Sequence, residues 1–479
     1  MSAANEAITF LLNRDRVEEK AAPGIVLLDI IRRERHLTGT KEACREGDCG
    51  ACMVLLGTPD AASRMHYVPV NSCLLPLGAV AGRHVVTIEG INGQSLNPIQ
   101  QALVAQGGIQ CGFCTPGIVV ALTAFFLNGS ASDAAEADDA VAGNLCRCTG
   151  YSGIKRAIHE LCGRFDLRTS PFENRIRECI DWQLLPPYFA SIPQQLVALP
   201  SVKPSAGEQD AVRVAGGTDL FVQQPVQLCT QPLAFLQPED SLEGIRLQNG
   251  QCLIDAAATI EQLRTSPEMR TLFPAIVEDF KLVCSAPIRQ RATVGGNLAN
   301  ASPIGDLSVF FLALDAGVRI AGPLRERSVK LRDFFNAYKQ IDCGPDELLR
   351  EILFDLPDPS AVFSFEKVSK RTYLDIASVN SALLIEVSNG IIQKIHLSAG
   401  GVAPIPLYLA ATCDYLLGKA PRPDVVIEAA GVAQTEIAPI SDVRGTEGYK
   451  RLLLRQLIFA HFLKLFAEQP GWEALYESS

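Results

Sequence analysis

The sequence has no excess of positive charge and no long apolar run. Its 43 lysines and arginines are outnumbered by 53 aspartates and glutamates, and the net charge of −10 argues against a nucleic-acid-binding surface. The longest apolar stretch near its cysteine motifs, GIVVALTAFFL, is 11 residues long, whereas a membrane-spanning helix needs roughly 20. The N-terminus, MSAANEAITFLLN, lacks the cationic start of a signal peptide. We therefore expect a cytoplasmic protein that binds neither nucleic acid nor membrane.

Catalytic side chains are also scarce. The six histidines are scattered singly, and no two of them have the spacing of a metal site. The Gly-Gly pairs at 216–217 and 295–296, each of which follows a short apolar strand, do not have the form G-x-G-x-x-G, so a Rossmann dinucleotide site is not indicated. We expect each histidine to be a surface or hydrogen-bonded residue and not a catalytic one.

What the sequence does contain is 15 cysteines, several of them closely spaced. In a long chain without a signal peptide, such clusters favour metal ligation over disulfides. The first group consists of Cys44, Cys49, Cys52 and Cys73. Its C-x4-C-x2-C spacing is that of plant-type 2Fe–2S ferredoxins, and Gly47 and Gly50 can adopt positive φ values that turn backbone N–H groups toward sulfur. Zinc is the weaker alternative, because zinc sites usually combine two C-x2-C pairs or mixed Cys/His sets.

The second group is less specific in its spacing. It consists of Cys111, Cys114, Cys146 and Cys148. A C-x2-C pair with a C-x-C pair could hold either zinc or an iron–sulfur cluster. Each pair precedes a predicted helix, whose N-terminus would stabilise the negative charge of a cluster. The position therefore favours iron–sulfur, while zinc remains possible on spacing alone.

The hydrophobic periodicity predicts an α+β protein with several domains. Strands dominate up to about residue 90, and four short helices follow between residues 97 and 164, the second opened by Pro116 and the fourth capped by Ser152. Prolines and polar residues then predict a linker without regular structure. Asn389-Gly390 between two apolar runs predicts a β-hairpin. The last helix is predicted to bury Leu452, Leu457 and their neighbours.

Two Gly-Gly sequences, RVAGGTDL at 213–220 and ATVGGNLANASPIGDL at 292–307, each follow a short apolar strand. Tandem glycines can expose several backbone N–H groups at once, as a pyrophosphate cradle requires. Either sequence taken alone is more often a plain turn.

Three segments together carry a resemblance to a known family. GTKEACREGDCGACMV, QCGFCTPGIVVAL and NLCRCTGYSGIKRAI resemble the two-cluster module of the molybdenum hydroxylases, the xanthine dehydrogenase and aldehyde oxidase family. The resemblance implies two 2Fe–2S clusters, with the eight cysteines above as metal ligands. The Gly-Gly sequences and FEKVSKRTYLDIAS resemble the FAD-binding domain that follows this module. The FAD-binding residues implied are Ala215, Gly216, Gly217, Thr218, Asp219, Thr293, Gly295, Gly296, Asn297, Asp306 and Lys367.

The resemblance also implies a domain order. It consists of a ferredoxin-like β-grasp domain (1–92), a small four-helix bundle carrying the second cluster (93–166), a linker (167–192), an α+β FAD-binding domain (193–357) and a C-terminal α+β domain (358–479). One departure concerns Val283, which stands where some relatives place an aromatic residue near the flavin. The chain stops short of a molybdopterin domain.

The implied function is that of the small subunit of a bacterial xanthine dehydrogenase. The partner would be a molybdenum-binding large subunit in an (αβ)2 assembly that oxidises hypoxanthine and xanthine to urate, with NAD⁺ as the electron acceptor. Three alternatives remain open. The chain could serve another molybdenum hydroxylase that acts on an aldehyde or N-heterocycle, it could be a stand-alone flavin–iron–sulfur reductase, or it could be a zinc-stabilised scaffold without enzymatic activity.

Overall fold

The computed structural model describes residues 7–60, 64–129, 131–168, 171–200, 211–236, 244–466, 471–473 and 475. The chain divides into two compact units, Met1–Leu236 with Ser285–Ala292, and Gln237–Cys284 with Thr293–Ser479. Within the described residues, no helix combines the length and apolar character needed to cross a membrane. Helices and strands occur together in both units, which confirms the predicted α+β multidomain class.

The first unit begins with a five-stranded mixed sheet. Its elements are β1 (Ile8–Leu12), β2 (Asp15–Glu19), α1 (Leu27–Asp29), β3 (Met53–Pro59), β4 (Met65–Asn71), β5 (His84–Val86) and α2 (Ile88–Ile91). The strand order is β2-β1-β5-β3-β4, and β1 and β5 are the parallel pair. A π-helix, Ile30–Glu34, continues α1, and its Ile30 and Ile31 pack with Phe10 and Val54 in the core on one face of the sheet. The cysteine loop 44–52 lies between this helical segment and β3.

All four predicted helices of the next region are present. They are α3 (Pro98–Ala105), α4 (Thr115–Asn128), α5 (Ala134–Val141) and α6 (Ser152–Arg164). Pro116 lies in the first turn of α4, as predicted, and α4 is buried along most of its length because it packs against β3 and β4 as well as α5. The prediction that Ser152 caps α6 is wrong. Tyr151 occupies the cap position with φ 64° and no side-chain cap, and its hydroxyl instead accepts a hydrogen bond from the Cys146 N–H at 2.9 Å.

The segment predicted to lack regular structure contains helices. The elements here are α7 (Arg175–Asp181), a 3₁₀ turn (Pro187–Ser191) and α8 (Ile192–Val197). Beyond this segment follow β6 (Val212–Val214), α9 (Leu220–Gln223) and β7 (Leu233–Phe235). Arg175 is 3% exposed, and its guanidinium donates to the carbonyls of Phe126 and Gly129 near the end of α4 and of Leu167. These hydrogen bonds satisfy carbonyls that the end of α4 leaves without partners. They therefore fix the segment that begins with α7 against α4. Most of PSVKPSAGEQ lies outside the described residues.

A five-stranded antiparallel sheet forms the first part of the second unit. The elements in chain order are β8 (Ile245–Gln248), β9 (Gln251–Asp255), α10 (Ile260–Thr265), α11 (Pro267–Leu272), α12 (Ile276–Asp279), α13 (Ala286–Arg289), α14 (Val294–Ala299), α15 (Asp306–Leu312), β10 (Gly317–Ala321), β11 (Glu326–Lys330), α16 (Leu331–Phe334), β12 (Phe335–Ala337), β13 (Gln340–Ile341) and β14 (Leu348–Asp355). Among these, α13 belongs to the first unit. The sheet order is β11-β10-β14-β9-β8.

The chain ends in a four-stranded antiparallel sheet covered by helices. The elements are β15 (Val362–Val368), β16 (Val379–Ser388), β17 (Ile391–Gly400), β18 (Leu407–Tyr408), α17 (Ala410–Leu416), α18 (Pro423–Glu436) and α19 (Glu447–Phe466). The predicted hairpin at Asn389-Gly390 is confirmed as the β16–β17 connection. The predicted buried face of α19 is partly wrong: Leu457 is buried, but Leu452 is 47% exposed, and His461 is fully buried between Ser364 and Ser381.

Candidate functional site

The first cysteine group lies in a tightly curled loop. Arg45, Gly47 and Gly50 all have positive φ values, which confirms the turn expected at the two glycines. As a result, the N–H groups of Glu46 and Asp48 point at the Cys44 sulfur, at 3.4 and 3.3 Å. Such backbone dipoles stabilise a thiolate. The loop is therefore built to hold negatively charged sulfur.

Gly50 is required at its position for two reasons. Its φ of +66° belongs to the left-handed region, which favours glycine. A Cβ atom there would also lie 2.4 Å from the Gly143 carbonyl oxygen, which is backbone and cannot move aside like a side chain. Any side chain at residue 50 would push the first cysteine loop away from the second.

The four thiols of the first group are arranged as two pairs. Cys49 donates a hydrogen bond to Cys44 and thereby lowers the pKa of Cys44 to about 5. Cys73 donates in the same way to Cys52 and lowers the pKa of Cys52, although burial opposes this shift. In both pairs the donating thiol has a raised pKa. Asn71, which follows β4, steadies the loop by donating to the Gly47 carbonyl at 3.0 Å.

The second group is arranged in the same way. The sulfur of Cys148 lies 3.5 Å from that of Cys111, and Cys114 pairs with Cys146. Burial and the hydrogen bond to Cys146 raise the pKa of Cys114 to about 12. Cys114 immediately precedes α4, and the Cys146–Cys148 turn precedes α6. The two predicted helix starts therefore lie beside the thiols, as expected.

The pairing can be compared with the ligand arrangement of an iron–sulfur cluster. In a 2Fe–2S cluster held by four cysteines, two thiolates serve each iron, and the two-plus-two arrangement of each group fits it.

The two cysteine loops are in direct contact. The Leu145 N–H donates to the Cys49 carbonyl at 3.0 Å, and the Asn144 side chain donates to the Gly50 carbonyl at 3.1 Å. Cys49 belongs to the first group, and Leu145 directly precedes Cys146 of the second group. A single hydrogen bond therefore connects the two groups. The sequence did not indicate Asn71, Asn144 or this bond, because ordinary asparagines and backbone groups carry no spacing signal.

The two groups differ in exposure. Cys52 and Cys73 are buried, whereas Cys111 and Cys148 are exposed. Two apolar side chains next to the second group are also exposed, Phe113 at 44% and Leu145 at 41%. The second group therefore reaches the surface of the first unit and carries apolar side chains there.

The first Gly-Gly sequence forms a turn directly after β6. Gly217 has φ +74°, and a Cβ atom on Gly216 would lie 2.1 Å from the Arg291 carbonyl oxygen. Arg291 also donates to the Gly216 carbonyl at 2.6 Å. Ala215, Thr218 and Asp219 complete the turn before α9. Gly216 is buried, and the Arg291 backbone occupies the place where its Cβ atom would lie, so glycine is needed here for the turn to pack closely against residue 291.

The second Gly-Gly sequence begins α14 in the second unit. The Thr293 hydroxyl accepts a hydrogen bond from the Gly296 N–H at 3.0 Å and caps the helix, and Gly295 packs against Ala256. The side-chain oxygen of Asn297 is buried and has no hydrogen-bond partner among the described residues. Because an unsatisfied buried acceptor is unfavourable, this oxygen is suited to a donor group of a bound ligand.

Asp306 and Lys367 form a buried ion pair at 2.7 Å, with side chains 12% and 2% exposed. Lys367 also donates to the Leu282 carbonyl at 2.7 Å, and Asn380 donates to Asp306 at 2.6 Å. The structure thus brings together two of the residues predicted from the sequence and adds Asn380, which no sequence signal indicated. Val283, beside Leu282, is 1% exposed and packs as a core residue.

Four family descriptions match consecutive parts of the chain. They are "2Fe-2S iron-sulfur cluster binding domain" (10–77), "[2Fe-2S] binding domain" (87–159), "FAD binding domain in molybdopterin dehydrogenase" (188–357) and "CO dehydrogenase flavoprotein C-terminal domain" (364–465). The chain therefore contains domains of the 2Fe–2S-binding and FAD-binding kinds.

Curated relatives are much longer than this chain. Xanthine dehydrogenase 1 of Arabidopsis thaliana is 27% identical over 96% of the chain, and xanthine dehydrogenase/oxidase of Rattus norvegicus is 28% identical over 96%. Aldehyde oxidase 4 of Cavia porcellus is 26% identical over 97%. The chain spans only 39%, 39% and 40% of these proteins, so their activities do not transfer to it as a whole.

Two solved structures resemble part of the chain. A chain of carbon monoxide dehydrogenase from Hydrogenophaga pseudoflava is 28% identical, with a TM-score of 0.50 over 53% of this chain and 88% of that one. A chain of quinoline 2-oxidoreductase from Pseudomonas putida 86 is 24% identical, with a TM-score of 0.50 over 54% of this chain and 90% of that one, and it supports the fold alone.

Proposed function

We infer that this chain is an iron–sulfur and flavin subunit of a molybdenum hydroxylase, and that it transfers electrons from a separate molybdenum-binding partner. The observation that carries the proposal is the two-plus-two pairing of both cysteine groups within one unit. A chain that only needed zinc for stability would not require two such groups in contact with each other. The matched FAD-binding domain supplies the acceptor side of the same chain.

We assign one 2Fe–2S cluster to each cysteine group. The ligands would be Cys44, Cys49, Cys52 and Cys73 for the first cluster and Cys111, Cys114, Cys146 and Cys148 for the second. When bound, such clusters carry single electrons, and FAD collects two of them for delivery to NAD⁺. The hydrogen bond from the Leu145 N–H to the Cys49 carbonyl connects the two cysteine loops directly.

The exposed second group is assigned to the side that meets the partner. Cys111 and Cys148 are exposed, and Phe113 and Leu145 beside them present apolar surface. Exposed apolar residues around a functional group are typical of a protein–protein contact. A molybdenum-binding large subunit docked there would cover both the side chains and the cluster, and (αβ)2 is the assembly we propose.

FAD is assigned to the residues around the two Gly-Gly sequences. The diphosphate is assigned to the Gly216-Gly217 turn, and the unsatisfied Asn297 oxygen is assigned to a donor of the nucleotide or flavin. Lys367 would approach the flavin, and the structure shows that Asp306 balances its charge. This chain's own residues thus bind and orient the cofactor, and none of them is assigned an acid–base role.

For the substrate we propose hypoxanthine and xanthine, oxidised on the partner chain with NAD⁺ as the final acceptor. The support is that the curated relatives that match 96% of the chain include xanthine dehydrogenases from a plant and a mammal. A second candidate is another molybdenum hydroxylase, because a solved structure that resembles part of the chain at 28% identity is a carbon monoxide dehydrogenase.

The experiment is to express the chain with its partner and assay the purified complex with NAD⁺. We expect turnover of hypoxanthine and xanthine. Turnover of only carbon monoxide, quinoline or an aldehyde would overturn the purine assignment and keep the electron-transfer role. A chain that oxidises NADH with an artificial acceptor and never associates with a second subunit would overturn the subunit proposal itself.

A further inference from the structure

Two arginines near the first Gly-Gly turn have no acidic partner. Arg291 donates through one nitrogen to the Gly216 carbonyl, while its other terminal nitrogen, Nη1, is buried without a hydrogen-bond partner among the described residues. Within the same residues, the Arg83 guanidinium forms neither an ion pair nor a hydrogen bond, although the side chain is half-buried. A buried guanidinium without a counter-charge is costly. These two therefore need an explanation.

Arg291 lies at the Gly216-Gly217 turn, and Arg83 comes from another part of the first unit, close enough for its charge to act on Arg291. Arg83 follows the turn Leu77–Val80, in which Gly78 lies so close to Phe235 of β7 that a Cβ atom would be 2.4 Å from the ring. Strand β7 pairs in parallel with β6, and β6 leads directly into the Gly216-Gly217 turn. The loop that carries Arg83 is therefore packed against the strand pair that carries the turn.

The electrostatics of the two side chains agree with this placement. Burial lowers the pKa of Arg291, and the positive charge of Arg83 lowers it further. Burial alone lowers the pKa of Arg83. The charge of Arg83 opposes that of Arg291, so the two guanidiniums form a positive site beside the Gly-Gly turn. A bound anion with two negative charges would compensate the cost of burying the charged side chains of Arg83 and Arg291.

We propose that Arg83 and Arg291 bind the diphosphate of a dinucleotide at the Gly216-Gly217 turn, so that the ferredoxin-like domain itself supplies one of the two charges that retain FAD. The inference rests on the proposed FAD function and deepens it. A diphosphate matches the site because its two negative charges balance the two positive charges of the guanidiniums. Guanidinium groups are also suited to bind phosphate oxygens. The consequence is that FAD affinity depends on the domain that holds the first cysteine group.

The test measures FAD binding to the full-length chain from which the flavin has been removed. Binding is followed by quenching of flavin fluorescence. The variants are Arg83→Gln, Arg83→Lys, Arg291→Gln and Arg291→Lys. We expect each glutamine variant to weaken FAD binding about tenfold to a hundredfold, as expected when a hydrogen-bonded charge is lost. The lysine variants should recover part of the loss. Riboflavin, which has no phosphate, should bind all variants equally, and inorganic pyrophosphate should compete with FAD for the wild type only.

A matched control is Arg16→Gln, because Arg16 lies on β2 of the same domain but is half exposed and paired with Glu18. It should bind FAD like the wild type. Wild-type FAD affinity in Arg83→Gln would overturn the role of Arg83. An equal loss of riboflavin binding would also overturn it, since the damage would then not concern the diphosphate. A loss of NAD⁺ binding with FAD unchanged would overturn the choice of FAD. A wild-type chain that binds no FAD would instead refute the proposed function.

Discussion

The buried Lys367–Asp306 pair offers a prediction whose size follows from the structure. Both side chains are almost entirely buried, and Asp306 keeps only Asn380 as a neutral donor once the ammonium group is removed. Breaking a buried pair from one side costs about 3–5 kcal/mol, because the remaining charge stays buried without a partner. We therefore expect Lys367→Met to lower the free energy of unfolding of the second unit by that amount.

The assay uses the only two tryptophans of the chain, one in each unit. Trp182 lies in the first unit, and Trp472 is 3% exposed and stacks on Phe462 and Phe466 in the second. In a Trp182→Phe background, fluorescence therefore reports unfolding of the second unit alone. With a urea m-value of about 1–3 kcal/mol per molar, the loss corresponds to a midpoint shift of about 1–5 M.

The double variant Lys367→Met/Asp306→Asn is the control. Removing both charges should recover about 1–3 kcal/mol of the summed single losses, the range for side chains in contact. The reasoning is refuted if Lys367→Met shifts the midpoint by less than about 0.3 M, or if the double variant shows simple additivity. If Lys367→Met leaves the apoprotein stable and loses only FAD, Lys367 serves the flavin and not Asp306.

Three further predictions concern the cysteine loops and the buried histidines. Gly50→Ala should prevent assembly of both clusters, because its Cβ atom would clash with the Gly143 carbonyl. The measurement is loss of the visible absorption. The control is Gly82→Ala, because Gly82 has a similar φ but its Cβ atom would contact no other atoms. Cys148→Ser should remove the second cluster and leave the first, so electron paramagnetic resonance of the reduced protein should retain one of two signals. Burial lowers the pKa of His84 to about 4 and of His461 to about 3. Because the unfolded chain binds those protons near pH 6.5, stability should fall as pH drops from 6.5 toward 4, by up to about 3 kcal/mol per histidine, and His461→Gln should flatten the decline measured by Trp472 fluorescence.

The cysteine groups could be predicted from the sequence because ligand spacing is a local property. The turn glycines, the four helices and the Asn389-Gly390 hairpin were predictable for the same reason, since each depends on neighbouring residues. The cap of α6 was not. Its residue is set by the left-handed turn at Gly150 and Tyr151, which serves the Cys146 loop rather than the helix.

Contacts between distant residues account for what the sequence could not predict. The bond from Leu145 to Cys49 uses backbone groups, which every residue has, and nothing in the sequence marks Asn380 as the neighbour of Asp306. The helices of the linker were missed because Arg175 holds them through carbonyls at the end of α4. The sequence did not indicate that His461 is buried in α19, where Ser364 and Ser381 on the neighbouring strands satisfy both of its ring nitrogens.

The most direct test of the central claim is metal and sulfide analysis of the freshly purified, untreated chain. Two 2Fe–2S clusters require about four iron atoms and about four acid-labile sulfides per chain, with brown colour and two distinct signals after reduction. We expect that result. Zinc in place of iron, with no labile sulfide and no visible absorption, would contradict the assignment of both cysteine groups and with it the electron-transfer function.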